Sequence, residues 1–544
     1  MPTPALFLIL ATLLPLASFG LLLSIGRRMG QPLSGWIACA VTGAGFALSM
    51  AATIAWVSGG ELAGITWGFG DKPIELAFRI LPGNFGNLNI YIDTLTIAMF
   101  NTITPVAALV CLFGVRFLRD DVRFVRFFTY FQLLLFSMQA LVLSGNLPMA
   151  FVFWELIALA GFMMSGREPS MRAFIFFRIG DAALLVGVVT LLRTLGNPTF
   201  LQMDRLVAAS MIPARALAIA APALACAALI KSLQFIFQPR LLSAAVLQTV
   251  SACAAAVYFL SRIFPLLSQA MGIWIAVVGL AGLIAGALLA LRQQDIFRVL
   301  GWSTVSQFGL MFVAIGIGSW VGGLFHLLCH AFFKSLLILA AAAVVHATGG
   351  QRLPDLGGLV RRLPVVSVFF AIALLAMAPI PLTSGYYSSQ LIFVHVGALA
   401  ALRGGSYWLF FIIPAVAGAL TGLYMTRCWM LIFFGLPRNY PLYERARERT
   451  SFWFPLGALA ILSLVGGTRL MDIDRFVEQS AEETENYCNA MRDPGTPAFA
   501  AFTGPSARLS DDTGERLFHR YAIWPPAVGI AAGLIIYSRR RQNR

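Results

Sequence analysis

Two lysines lie in apolar stretches of the sequence that are long enough to span a membrane. Lys231 occurs in ALIKSLQF and Lys334 in HAFFKSLL, and only three of the 39 basic residues are lysine. A lysine in an apolar environment can release its proton near neutral pH, whereas an arginine stays charged. The placement of these two lysines therefore indicates proton transfer within the membrane.

The second lysine belongs to a polar stripe on one helix face. His326, His330 and Lys334 recur at intervals of four residues in LFHLLCHAFFKSLL, so they line one face over about 12 Å. Imidazole titrates near neutral pH, and three titratable neighbours in register favour a proton relay. A metal site is the alternative interpretation of the HxxxH spacing, although no acidic residue accompanies it.

Two further apolar segments carry charged residues. Glu155, in FVFWELIALAGF, could form a buried ion pair with Lys231 that opens and closes, or a static pair that only joins two helices. Arg178 and Asp181 are three residues apart on one helix face. That spacing favours a local ion pair over a gating role.

The segment DIFRVLGWSTVSQFGLM begins another helix. Asp295 is expected to cap it, and the side chains of Ser306 and Gln307 are expected to hold water. The sequence contains no phosphate-binding loop, dinucleotide fingerprint, nucleophile elbow or redox-ligand set. We therefore expect no cofactor or metal in this chain, and any redox chemistry belongs to a partner subunit.

The composition predicts an all-α polytopic membrane protein. The 544 residues are 59% hydrophobic and 12% charged, with a mean hydropathy of +0.81. The net charge of +15 comes from arginines between the apolar segments, so it indicates topology rather than nucleic-acid binding. The seven cysteines show no metal-type spacing and lie mostly in apolar segments, where cysteine behaves as a small hydrophobic residue.

About fifteen spans are predicted from the apolar segments. They lie near residues 4–26, 34–58, 92–115, 125–144, 147–165, 172–193, 212–238, 242–267, 273–291, 299–317, 320–346, 365–400, 406–435, 452–467 and 523–537.

The distribution of basic residues predicts the orientation. Loops after odd-numbered spans carry eighteen Lys or Arg residues, against seven after even-numbered spans. The chain is expected in the inner (plasma) membrane of the cell. The positive-inside rule then places its N-terminus outside and its C-terminus in the cytoplasm. Five regions follow: N-terminal spans with an external loop (1–91), a translocation core (92–435), helix 14 (436–467), a polar external segment (468–522) and a last span with a basic tail (523–544).

Prolines predict breaks in two spans. The span at 365–400 carries Pro379, Pro381 and Gly385 near its middle, and the span at 212–238 contains Pro222. A proline removes a backbone donor and clashes with the preceding turn. Interrupted helices at corresponding places in two halves are typical of transporters with inverted repeats.

The chain resembles the antiporter-like membrane subunits of respiratory complex I, especially the chain L or subunit five type. The strings FVFWELIALAGF, RIGD, IKSLQF, DIFRVLGWSTVSQFGLMF and HLLCHAFFKSLLILA carry the resemblance over roughly residues 90–435. It implies fourteen core helices with two inverted five-helix repeats and broken helices seven and twelve. In this chain we expect one further span at the C-terminus. It also implies a proton half-channel at Glu155 and Lys231 and a relay through His326, His330 and Lys334.

Two positions differ from the family pattern. Gln248 stands where the family has a histidine, in a linker that is shorter by about eight residues, and Ser389 stands where helix twelve has lysine or glutamate. Both side chains can hydrogen-bond water, but neither carries a charge at neutral pH.

Three functions are compatible with the sequence. The first is a complex-I-like NADH:quinone oxidoreductase subunit that takes part in proton translocation with other membrane subunits, NADH and quinone acting only on those partners. The second is a subunit of a Mrp-like cation/proton antiporter or of a proton-driven inorganic-carbon uptake system. The third is a scaffold that no longer conducts, which the neutral residues Gln248 and Ser389 favour.

Overall fold

The computed structural model consists almost entirely of helices. It describes residues 3–57, 74–79, 87–165, 171–232, 255–468 and 513–539. Within these ranges eleven helices are long and apolar enough to cross a membrane, and Pro364–Met377 and Thr450–Val465 are shorter apolar helices. The chain is thus a multi-pass membrane protein, as its composition predicts. The number of fourteen core helices and the inverted repeats stay predictions.

The described chain divides into two compact units, one before and one after the boundary between Leu267 and Ser268. This boundary falls inside the 92–435 core that the sequence suggests. The five-part division drawn from the sequence stays a prediction.

The first unit consists of nine helices and a two-stranded hairpin among the described residues. They are α1 (Thr3–Met29), α2 (Leu33–Val57), β1 (Ile74–Arg79), β2 (Asn87–Ile92), α3 (Thr94–Phe117), α4 (Phe124–Leu143), α5 (Leu147–Ser165), α6 (Met171–Leu195), α7 (Phe200–Ala208), α8 (Ala214–Ser232) and α9 (255–262).

The hairpin is an element that the sequence analysis did not predict. Its strands are antiparallel, with Ile74 opposite Ile92 and Phe78 opposite Leu88. The backbone N–H of Gly145 donates to Asn89 O at 2.6 Å, which joins β2 to the loop before α5. A Cβ atom at Gly145 would lie 2.6 Å from that oxygen, so only glycine permits this approach.

The second unit contains the longest of the described helices and its neighbours. Its described helices are α10 (Gln269–Arg292), α11 (Ile296–Gly316), α12 (Trp320–Thr348), α13 (Pro364–Met377), α14 (Ser384–Arg403), α15 (Leu409–Phe433), α16 (Tyr440–Arg445), α17 (Trp453–Val465) and α18 (Trp524–Arg539), with a helical segment at 513–522 before the last.

Glycines at intervals of seven bring α10 and α11 into close contact. A Cβ atom at Gly279 would lie 2.7 Å from Gly309 O, and one at Gly286 would lie 2.6 Å from Ser306 N. Small residues let membrane helices approach closely where no hydrophobic force drives them together. The helix α12 packs against α11, α13, α14 and α17, and all but two of its residues from Trp320 to Val344 are buried. Its polar stripe therefore lies inside protein.

The break predicted for the span at 365–400 is confirmed. The helix α13 ends at Met377 and α14 begins at Ser384, and Thr383 caps α14 by accepting the N–H of Tyr386. Leu382 has a φ of 72° in this connection. In the other span the break predicted from Pro222 is wrong, because α8 continues through Pro222 to Ser232. The rest of that predicted span, Gln248 and most of the polar segment 468–522 lie outside the described residues, so a break farther along helix seven stays a prediction.

Replacing Gly385 with alanine is expected to destabilise the protein. A Cβ atom there would lie 1.8 Å from Ala376 O, so α14 must move away from α13. Overpacking of this kind costs about 1–3 kcal/mol or more. The measurement is the thermal midpoint of the purified protein in detergent. Gly301→Ala is the control because nothing lies within 4 Å of its added Cβ, and equal midpoints for the two variants would contradict the prediction.

Candidate proton-transfer sites

The first unit contains a buried charge network around Lys231. This residue lies in the last turn of α8, where the helix dipole favours a cation. Its Nζ lies 3.7 Å from Asp181 Oδ1 and 4.9 Å from the centre of the Trp154 ring. Trp154 Nε1 donates to the same oxygen at 2.9 Å. Because 3.7 Å exceeds hydrogen-bond range, Lys231 is held here by charge and by the aromatic ring.

Glu155 does not pair with Lys231 in this structure, so the static pair is wrong, whereas the pair that opens and closes stays a prediction. Arg178 bonds to Glu155 Oε2 at 2.5 Å through Nη1 and to Asp181 Oδ2 at 2.7 Å through Nη2. Glu155 follows Trp154 directly, so the two side chains leave α5 about 100° apart, and Trp154 takes the direction of Lys231. The planar guanidinium instead spans both carboxylates. The local Arg178–Asp181 pair is confirmed.

Neutralising Asp181 is expected to destabilise the protein more than neutralising Glu155. The Asp181 side chain is 6% exposed and lies between two cations, whereas that of Glu155 is 27% exposed. Asp181→Asn keeps an oxygen for Trp154 but removes the charge, at a cost of about 1–3 kcal/mol. Thermal midpoints of the two single variants test this. Adding Lys231→Met to Asp181→Asn should recover part of the loss, and equal losses in the two single variants would oppose the assignment.

A second ion pair of the first unit was not found from the sequence. Arg262, at the end of α9, forms a two-pronged pair with Asp93, with Nη2 2.7 Å from Oδ1. Its guanidinium carbon lies 5.1 Å from the ring centres of both Tyr91 and Tyr258. Asp93 also caps α3 by accepting the N–H of Thr96. The only signal in the sequence was an arginine beside an apolar segment, because the partners are 169 residues apart.

Asp204 on the short helix α7 lies near this pair. Burial raises the pKa of its carboxyl group to about 7; Arg262 opposes the rise, and Asp93 adds to it. The helix α7 connects two spans and is itself fixed by a reciprocal cap between Thr199 and Gln202. The group thus adds a titratable site outside the membrane-spanning helices of this unit.

The polar stripe of α12 is buried inside the second unit. His326 and His330 are each 1% exposed and Lys334 is fully buried. His326 contacts Gln307 Oε1 through Nε2 and Ser388 Oγ through Nδ1, both at 2.9 Å. The rings of the two histidines lie 6.4 Å apart, and Phe308 and Phe333 contact His330 edge-on. The stripe therefore lies in apolar surroundings with a few neutral polar partners.

Lys334 donates to two neutral oxygen atoms. Its Nζ lies 2.8 Å from Leu300 O and 2.5 Å from Ser303 Oγ, both on α11. Among the described residues no carboxylate lies within ion-pair distance of it. The two lysines of the apolar segments thus have different environments: Lys231 faces a carboxylate and Lys334 does not.

The supporting residues have varied roles. Asp295 caps α11 as expected, and Ser306 donates to Leu283 O across the contact between α10 and α11. Gln307 contacts His326. Ser388, which the sequence analysis did not single out, reaches His326, whereas Ser389 is buried at the next position. In the described part of the chain no three His, Cys, Asp or Glu residues are grouped to hold a metal ion.

Comparison with known proteins defines the class of this membrane protein. The family described as NADH:quinone oxidoreductase/Mrp antiporter, TM, matches residues 144–420. The family described as NADH-Ubiquinone oxidoreductase (complex I), chain 5 N-terminus, matches residues 85–128. The chain belongs to the antiporter-like membrane proteins that these oxidoreductases and antiporters share.

Relatives within that family are more specific. NADH-quinone oxidoreductase subunit L of Pseudomonas aeruginosa is 32% identical over 492 residues, which cover 84% of this chain and 76% of that protein. NADH-ubiquinone oxidoreductase chain 5 of Podospora anserina is 30% identical, over 76% of this chain and 66% of its own length. The chain is therefore similar to the subunit L and chain 5 group.

Two solved structures share the fold. The Mrp complex from Dietzia sp. DQ12-45-1b matches with a TM-score of 0.72 and 21% identity, over 99% of this chain and 59% of that one. The membrane-bound sulfane sulfur reductase, an archaeal respiratory membrane complex, matches with a TM-score of 0.74 and 20% identity, over 89% and 99%. At these identities the likeness concerns the fold alone.

Proposed function

We propose that this chain is a proton-translocating membrane subunit of a complex-I-like NADH:quinone oxidoreductase. Its similarity to subunit L and chain 5 proteins supports the kind of complex. NADH and quinone would react on partner subunits, and this chain would move protons in response. The protein would lie in the plasma membrane with its N-terminus outside and its C-terminus in the cytoplasm, as the distribution of arginines predicts.

The buried environment of Lys334 is the observation that carries the proposal. A charged group in the membrane interior is costly and is retained where it pairs or serves transport. Lys334 is held by a carbonyl and a hydroxyl oxygen rather than a carboxylate. Such a site accommodates both the ammonium and the neutral amine. Lys334 can therefore accept a proton and give it up again.

His326 is placed to bind and release a proton with little rearrangement. The Ser388 hydroxyl has acceptors at Ser384 O, 3.0 Å away, and Gly385 O, 3.3 Å away, in addition to the ring. When His326 is neutral, Ser388 can donate to its Nδ1. When His326 is protonated, Nδ1 donates to Ser388 Oγ and the hydroxyl turns to a carbonyl. Both protonation states of His326 thus keep a hydrogen bond.

In the first unit, Arg178 is proposed as the element that controls Lys231. The guanidinium neutralises part of the Asp181 charge that would otherwise hold the proton on Lys231. If Arg178 moves toward Glu155, Asp181 is free to attract Lys231 and keep it protonated. If Arg178 moves toward Asp181, Lys231 loses its counter-charge and releases its proton. This assigns the gate to Arg178 and Glu155 together, and the proton exchange to Lys231.

A Mrp-like cation/proton antiporter subunit is the second candidate function. The fold likeness to a Mrp complex favours it. In that case protons would exchange for cations without NADH or quinone. The described residues offer carboxylates to a cation in the first unit, at Glu155 and Asp181, but Arg178 occupies both.

The test uses membrane vesicles from a strain that lacks the gene and from the same strain with it restored. Restoration is expected to increase NADH-driven proton uptake, measured with a pH-sensitive dye, and to leave the response to an imposed sodium gradient unchanged. A response to the sodium gradient alone would identify the antiporter. Restored NADH oxidation with unrestored proton uptake would identify a scaffold.

A further inference from the structure

Two histidine–serine pairs join α12 and α14. His326 of α12 contacts Ser388 of α14, and Ser319 at the start of α12 contacts His395 Nδ1 of α14. On each helix the two contacting residues are seven positions apart, which is two turns and so the same face. The helices run antiparallel, and the pairs are reciprocal, with one histidine on each helix.

The face of α14 matters for the comparison with Ser389. Ser388 and His395 share one face, while Ser389 leaves the helix about 100° away. His395 therefore does not take the place of Ser389 on the helix. It lies on the neighbouring face of α14, the one that contacts α12.

The helices are in close contact between the two pairs. Gly322 lies one turn after Ser319, and its added Cβ would be 2.6 Å from Ser319 Oγ and 3.3 Å from Ile392 Cγ1. No side chain projects from α12 at this point. The two pairs are about 10 Å apart along the helices.

His395 also lies beside a charged surface segment of the same unit. A Cβ atom at Gly514 would lie 2.1 Å from Val394 O, and one at Gly397 would lie 3.4 Å from Leu517. The segment 513–522 thus packs on α14 at both sides of His395. It presents exposed charged or titratable side chains at Glu515, Arg516, His519 and Arg520. His326 thus lies on the α12 side of α14, and the four charged or titratable side chains lie on the segment that packs on α14 next to His395.

We propose that His395, positioned by Ser319, is the terminal proton-carrying residue of the second unit and passes protons between the stripe and the surface segment. The inference rests on the proposed proton translocation. A proton leaving His326 would convert the His395 imidazole to imidazolium, and the imidazolium would release it at the charged surface. By the arginine distribution, this end of α14 faces outside, so His395 is the outlet.

The test measures proton flux per assembled complex after reconstitution into vesicles. His395→Gln keeps a polar side chain but cannot take up a proton, and flux is expected to fall about tenfold or more. His395→Lys, which restores a titratable group, should retain more flux than His395→Gln. Ser319→Ala should reduce flux less than His395→Gln. His346→Gln is the matched control, because that histidine lies at the other end of α12 against Phe452.

The outcomes separate this inference from the proposed function. Loss of flux in Lys334→Met with unchanged flux in His395→Gln overturns the inference alone. Unchanged flux in both variants overturns the proposed function as well. Equal flux in His395→Gln and His395→Lys would mean that His395 only packs, and this too overturns the inference.

Discussion

Replacing Lys334 with methionine is expected to stop most proton transfer and to leave the fold intact. Methionine fills a similar space without a titratable group. Losing an acid–base residue lowers the rate of proton transfer about a hundredfold or more, so NADH-driven proton uptake should fall to near background. The measurement is dye-detected uptake in vesicles, normalised to the amount of assembled complex.

The local hydrogen bonds explain why Lys334→Met should not unfold the protein. Ser303 Oγ already donates to Leu300 O at 2.8 Å, and Thr304 Oγ1 donates to the same oxygen at 2.8 Å. The acceptor therefore stays satisfied when the ammonium is removed, and the cost of burying a charge disappears. The thermal midpoint is expected to stay the same or rise.

Two further variants sharpen this prediction. Lys334→Arg keeps the charge but cannot release a proton, so it should lose proton uptake as well. Ser335→Ala changes the next buried residue, whose hydroxyl has no hydrogen-bond partner among the described residues, and uptake should be unchanged. Normal uptake in Lys334→Met would refute the relay through the α12 stripe.

Replacing Asp93 with alanine is expected to destabilise the first unit by about 3–5 kcal/mol, because it leaves the buried Arg262 charge unpaired. The Arg262 and Asp93 side chains are 8% and 5% exposed, and the pair ties α9 to the start of α3. The measurement is the thermal midpoint of the purified complex and the amount of assembled complex in membranes.

Controls distinguish the ion pair from the helix cap. Asp93→Asn retains an oxygen for the N–H of Thr96 but removes the charge, so most of the loss should persist. Asp121→Ala breaks a pair with Arg123 in the loop between α3 and α4, where the side chains are 26% and 45% exposed. Exposed pairs contribute about 0–1 kcal/mol. If Asp93→Ala and Asp121→Ala had the same midpoint, the assignment of a buried structural pair would be wrong.

The sequence was informative wherever a local pattern carried the signal. The apolar segments predicted the bounds of most described membrane helices to within a few residues. Pro379 and Pro381 predicted the break between α13 and α14. The cap at Asp295 and the pair of Arg178 with Asp181 follow from spacings of three residues. The strings around Glu155 and Lys334 gave the family, which the similarity to subunit L bears out.

The partners of the charged groups depended on tertiary structure. Glu155 and Lys231 are 76 positions apart in the sequence, and only the rotation of α5 and α6 decides that Arg178 separates them. The Asp93–Arg262 pair and the Ser319–His395 contact join residues that no local pattern relates. Side chains on different helices meet according to helix rotation and register.

The sequence by itself determined that this is a multi-pass helical membrane protein with titratable residues at Lys231 and along the α12 stripe. Hydrophobic length and helical periodicity are local properties, so they can be read from the chain. Only the tertiary structure decided which residues those groups contact. Lys231 lies beside Asp181, Lys334 donates to neutral oxygen atoms of α11, and His326 contacts Ser388. In the membrane interior, the contacts of a charged group determine whether it keeps its proton, and packing between helices sets those contacts.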